Sequence, residues 1–278
     1  MFNTSRLPVM LAFSLLLLVV GISIPASAEP TFAGVLGERN RITLGYQVNA
    51  DAVQGFLPAP WRLNALASGP LRGSNFLVVL IDSVRDDDPQ GKPRYGGNNP
   101  FVVFVAPGKN PENGQTAAVV LGGFASNPAY LPGYYQVYRP ATINVRHLIE
   151  SHTVDTEEVT DVWQVRDTTG AGGVELKLHS LRDLKTRARA KGEVQVISAK
   201  EPSLWRSYQY ETATDVLKSV PENIDRVRAY TLRVTVPDYS KLFDGSEQLV
   251  GISAAPWYVR QIFAHQGRTE NEQSSSRR

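Results

Sequence analysis

Cysteine is absent from all 278 residues. Its absence excludes disulfides, thiolate catalysis, zinc ribbons and iron–sulfur clusters, so the folded chain depends on its core alone. Charge of one sign is missing as well. The 29 Lys and Arg face 27 Asp and Glu, a formal net charge of +2, which gives no reason to expect a nucleic-acid or anionic-membrane partner. Long apolar runs are scarce. One lies near the N-terminus, and beyond it nothing approaches the roughly 20 residues of a membrane span. Histidine is rare, and His147, His152, His179 and His265 form neither H-E-x-x-H nor another tight metal pattern. No G-x-S-x-G elbow, P-loop or dinucleotide fingerprint occurs. The expectation is therefore no metal and no cofactor.

Positive evidence begins at the N-terminus. Arg6 supplies a basic n-region, residues 9–20 an apolar h-region, and Ala26-Ser27-Ala28 a small-residue cleavage site. The run is short for a span and wrongly flanked for one. The reading is a signal peptide over residues 1–28, cleaved after Ala28, with export to a bacterial periplasm and no stable membrane insertion afterwards. The remaining chain suits one large β domain over residues 29–264, followed by a polar, disordered tail over 265–278.

Short apolar runs with turn punctuation dominate that stretch. Residues 41–46 alternate as a strand. Asn49 caps a short helix over 50–57 that Pro58 and Pro60 stop. The continuous apolar runs 76–81, 101–105 and 117–121 read as strands buried on both faces. Residues 162–165 and 174–178 flank a glycine-rich hairpin connection, and 194–197 and 230–236 are further strands. Short helices are expected over 212–219 and 257–263. The sum is a mainly β (α+β) chain, a single barrel with a few peripheral helices.

One segment says more than the rest. Arg39 precedes Tyr46-Gln47-Val48-Asn49-Ala50-Asp51-Ala52-Val53, and a Pro-x-Pro corner follows at Pro58 and Pro60. This order and spacing resemble the N-terminal signature of the acetoacetate decarboxylase-like family. The resemblance implies a barrel with a ligand pocket and a pocket arginine at Arg39. In the decarboxylases a reactive lysine lies in Pro-Lys-Lys, after an apolar strand and an Arg-Glu pair. Here Pro128 is followed by Ala129 and Tyr130, and Gly122-Gly123 stands for Arg-Glu. Acetoacetate decarboxylase activates its Schiff-base lysine with a neighbouring cation. An alanine forms no imine, so decarboxylation by that route is not expected.

Two functions follow. The first is a non-decarboxylating barrel that binds a small organic carboxylate or keto ligand through Arg39, Asn127 and Tyr130. The second is a lyase or hydrolase of altered mechanism, using Arg39 with Glu175, Lys177 and His179, which alternation puts on one strand face. The favoured reading of that face is nonetheless a solvated polar edge of a half-buried strand. A partner-binding protein with a vestigial pocket is a third reading, and the oligomeric state is left open. Asp86-Asp87-Asp88 with Asn98 and Asn99 offers oxygen ligands, but Pro89 and Gly91 mark a turn without EF-hand spacing. The aromatic run from Tyr130 to Tyr138 suits a pocket or barrel packing alike.

Overall fold

The computed structural model describes residues 29–131, 135–151, 153–170 and 172–265. Residues 1–28, read above as a signal peptide, and residues 266–278 lie outside them. Thirteen strands carry the fold: β1 (Thr31–Gln47), β2 (Arg62–Leu63), β3 (Phe76–Asp87), β4 (Phe101–Lys109), β5 (Thr116–Ala125), β6 (Tyr138–Ser151) and β7 (Thr156–Asp167), then β8 (Gly173–Asp183), β9 (Ala188–Ser198), β10 (Trp205–Ser219), β11 (Ile224–Asp225), β12 (Val227–Val234) and β13 (Gln248–Ala264). Among the described residues the one α-helix, α1 (Ala50–Gln54), starts where Asn49 accepts from the Ala52 amide at 3.0 Å.

Seven strands pair into a ring. Going round, β1 pairs β3, β3 pairs β4, β4 pairs β5, β5 pairs β9, β9 pairs β10, β10 pairs β13, and β13 returns to β1. Only the β5–β9 step is parallel. Against the outside of this barrel lies a second layer, the antiparallel order β6–β7–β8–β12. The layer joins the ring through a short parallel ladder, Gly123 to Tyr138, Phe124 to Arg139 and Ala125 to Pro140.

Two cores result, and the sequence reflects both. Along β3 and β4, Val79, Ile81, Phe101 and Val103 fill the lumen, while Val78, Leu80, Val102 and Phe104 pack outward under the second layer. A wall buried on both faces has no solvent side, so its strands are continuously apolar rather than alternating. The second layer has one dry face. Its inward Trp163, Val165, Leu176 and Leu178 are buried, whereas Glu175 and Lys177 are exposed between them.

Two expected helices are strands. Residues 212–219 belong to β10 and 257–263 to β13, and both are needed to close the ring. Along β13 the buried Tyr258, Arg260 and Ile262 alternate with more exposed Trp257, Val259 and Gln261, a period of two. Helical propensity in a short segment is weak beside two ladders of pairing partners. His265, read as the start of a frayed tail, instead bonds the Ser207 hydroxyl at 2.7 Å and stacks on Trp205.

Candidate functional site

The barrel lumen narrows to a cavity of about 200 Å³. Its floor and sides are apolar, from Val79, Ile81, Phe101, Val103, Val120 and Val196. Its polar groups include Arg41 on β1, Tyr208 on β10, and Tyr258 and Arg260 on β13, with Tyr135 reaching in from the segment before β6 and Tyr138 from the first position of β6. The Arg41 fork donates to buried Glu38 through two bonds, 2.7 and 2.6 Å long. Arg260 stands 3.6 Å from the same carboxylate, beyond hydrogen-bond reach, and among the described residues its buried Nε–H has no acceptor. Each guanidinium also lies over a phenol ring, Arg41 at 3.9 Å from the Tyr258 centroid and Arg260 at 4.3 Å from that of Tyr208.

Two cations, Arg260 buried and Arg41 partly buried, thus share one carboxylate. Burial works against the Arg41 charge, but Glu38 beside it more than compensates and raises its pKa. The tyrosines behave oppositely. Burial pushes the Tyr135 and Tyr138 hydroxyls well above the ordinary phenol range, so both are neutral donors. Tyr135 and Tyr208 share a short hydroxyl–hydroxyl bond. A concave apolar chamber with a few converging donors and a surplus positive charge is suited to an anion with a small organic body.

Arg39 lies elsewhere. On β1, Glu38 pairs with Ser83 and Asn40 with Asp82, so Arg39 is the extra residue of a bulge. Its guanidinium, more than half exposed at 57 %, donates to Asp82 Oδ2 at 2.9 and 2.7 Å on the outside of the ring. Asp82 begins an alternating series of charges along the seam between barrel and second layer. His147 Nε2 lies 3.2 Å from Asp82, and its Nδ1 bonds Asp161. Arg182 bridges Asp161 at 3.4 Å to Asp215 at 3.9 Å, and Arg187 closes on Asp215 at 2.8 Å and Glu157 at 3.6 Å. Burial favours a neutral His147 ring, but the bonds and charges of Asp161 and Asp82 prevail and push its pKa up to about 9. With both ring nitrogens engaged by carboxylates, the group is an ion-pair junction. Among the described residues no three His, Asp or Glu side chains form a metal site.

Asn127 caps a 3-10 turn, Pro128–Tyr130, by accepting from the Ala129 amide at 3.2 Å, and Asn99 holds its backbone at 3.0 and 3.1 Å. It is exposed and does not line the lumen. The Tyr130 side chain lies outside the described residues. Glu175, Lys177 and His179 sit on β8 in the outer face of the second layer. Lys177 and His179 border a broad concavity there, and His179 is 3.7 Å from Glu158. Nothing brings them to Arg39. In the acidic loop, Asp86 pairs with Arg94 at 3.3 Å, while Asp88 accepts the Gln90 and Lys92 amides at 2.9 Å, as a turn requires.

No family model and no curated protein matches this sequence. Solved structures do. An acetoacetate decarboxylase-like enzyme from Sphingomonas wittichii RW1 is similar with a TM-score of 0.50 at 10% identity, over 87% of this chain and 95% of that one. The enduracididine biosynthesis enzyme MppR with HEPES buffer bound gives 0.49 at 12% identity, over 89% and 97%. The acetoacetate decarboxylase of Legionella pneumophila gives 0.47 at 13% identity, over 92% and 97%. At such identities the likeness is one of fold: the chain has the acetoacetate decarboxylase-like fold expected from residues 39–61.

Proposed function

We propose that this is an exported protein that holds a small organic carboxylate or keto acid in the barrel lumen and forms no Schiff base with it. The carrying observation is the lumen's charge: Arg41 and Arg260 share Glu38, and among the described residues the Arg260 Nε–H lacks an acceptor. A buried cation without full pairing costs several kcal/mol of desolvation, by the usual order of magnitude. A ligand carboxylate supplies the second anion and meets the guanidinium fork in two bonds. Size narrows the class. A cavity of about 200 Å³ falls below the roughly 300–1,000 Å³ of drug-sized pockets, so the ligand is an acid of few heavy atoms.

Among the described residues the lining holds two guanidiniums and no primary amine. The inward side chains that β5 gives the lumen wall are Ala118 and Val120, neither of which forms an imine. Export rests on Arg6, the apolar run and Ala26-Ser27-Ala28. Because Arg39 does not line the lumen and bonds Asp82 on the outside of the ring, the anion contact is assigned to Arg41 and Arg260, and Arg39 becomes the comparison position.

Calorimetric titration with pyruvate and acetoacetate tests the reading. Saturable binding of either acid is expected, together with an unchanged intact mass after borohydride reduction in its presence. Absence of binding by both acids would sink the pocket assignment. A stoichiometric adduct on any lysine would overturn the non-covalent one.

A further inference from the structure

The barrel wall is broken at one place. Strand β5 pairs with β9 through Ala118, Val119 and Val120, then from Gly123 onward with β6. β9 ends at Ser198 and β6 begins at Tyr138, so between the two partners β5 runs past Leu121 and Gly122 with neither beside it. Outside this fork is an open polar cleft of about 680 Å³, bordered by Gly122, Gly123, Gln136, Arg139, Lys200 and Tyr239. Inside it is the lumen. Tyr138 borders both cavities, and among the described residues no other does.

The Tyr138 ring fits the break as a stopper. A Cβ on Gly123 would stand 2.8 Å from two of its ring carbons, so only glycine lets the ring lie flat on the strand. Its inner edge meets Phe101 in a T-shaped contact at 6.1 Å. The preceding segment is latched, since the Ser198 hydroxyl donates to the Tyr135 carbonyl at 2.6 Å. Gln136 takes a left-handed φ of 59° in between, a conformation that non-glycine residues adopt at a cost and that collects where a segment has a task. Lys200 stands on the cleft with no acidic partner among the described residues.

We infer that the fork is the port through which the lumen exchanges its ligand with solvent, and that the Tyr138 ring is its door. This rests on the lumen being the binding site. It makes Tyr138 a specificity-determining residue, because acids too bulky to pass the displaced ring never reach Arg41 and Arg260.

The lack of cysteine makes a test that needs no ligand. Val120→Cys puts a single thiol on the lumen wall beside the fork, and Gln209→Cys puts one on the exposed outer wall. Iodoacetamide should label Val120→Cys slowly. Adding Tyr138→Ala should raise that rate about tenfold or more, since labelling follows the fraction of molecules in which the break is open. Tyr138→Phe, which keeps the ring, should leave the rate unchanged, as should Tyr138→Ala at Gln209→Cys. If Tyr138→Ala does not melt cooperatively, Tyr138→Leu takes its place. An unaltered rate at Val120→Cys in the folded variant would overturn the port, and so would an equal rise at Gln209→Cys. A neutral reagent reads passage alone, so this outcome is separate from whether carboxylates bind.

Discussion

Arg39 and Arg41 stand two residues apart on one strand, and simple alternation would give them one face. The bulge at Arg39 removes that equivalence by adding one residue to β1 against β3, which sends Arg39 outward to Asp82 and Arg41 inward to Glu38. No residue type in Glu38-Arg39-Asn40-Arg41 announces a bulge, so the sequence does not show that Arg41 rather than Arg39 faces the lumen. His147 was legible only as a histidine without a metal pattern, because Asp82, Asp161 and Arg182 come from three other strands. Its raised pKa has a consequence of definite sign. The folded value, about 9, lies above the ordinary 6.5, so the stability contribution is complete below that ordinary value and is lost as pH rises through about 9. Asp82 acts in the other direction: against the opposing effect of burial, its bonds to His147 and Arg39 hold its pKa down, so its contribution fades as pH falls. His147→Gln should cost about 3 kcal/mol near neutral pH, as for breaking a buried ion pair. The wild type should approach the variant above pH about 9. Urea midpoints from pH 6 to 10 check this, and a constant difference across that range would contradict it.

Strands buried on both faces were the most legible elements, since runs such as Phe76 to Ile81 admit no solvent side. β10 and β13 were not. Thr212 to Ser219 and Trp257 to Phe263 carry enough apolar residues at three- and four-residue spacing to read as helix, and only the ring demands their extended form. Arg260, Tyr208 and Tyr258 were missed with them. The available signal was the period of two in Tyr258, Arg260 and Ile262. Gly122 and Gly123, which mark a departure from the family's Arg-Glu, have a packing reason. A Cβ on Gly122 would collide with the Tyr239 hydroxyl, and Tyr239 packs at 4.5 Å on Phe104 and at 5.3 Å on Phe56. Gly122→Ala should therefore destabilise by about 1–3 kcal/mol, the usual range for overfilling a packed core. A urea midpoint equal to wild type would show that the tyrosine yields freely.

Across the whole molecule, a seven-strand ring and a four-strand layer meet along two seams. One is the apolar core under β6, β7, β8 and β12, and the other is the charge series from Arg39 to Glu157. The β class and the decarboxylase-like fold were legible from run lengths and one short motif. The lumen's contents were not, because Glu38, Arg41, Tyr138, Tyr208 and Arg260 converge only once the ring closes, from positions spread over more than two hundred residues of chain. The central claim is that this lumen is positively charged and built for a small carboxylate. Charge-selective labelling of Val120→Cys tests it most directly, comparing iodoacetate with iodoacetamide and referring the ratio to Gln209→Cys. The account predicts a ratio favouring the anionic reagent in the lumen. Arg260→Met should lower that ratio about tenfold, the scale of one bond to a charged group, and Arg39→Met should leave it in place. A lumen ratio equal to the surface value, or one equally sensitive to Arg39→Met, would contradict it.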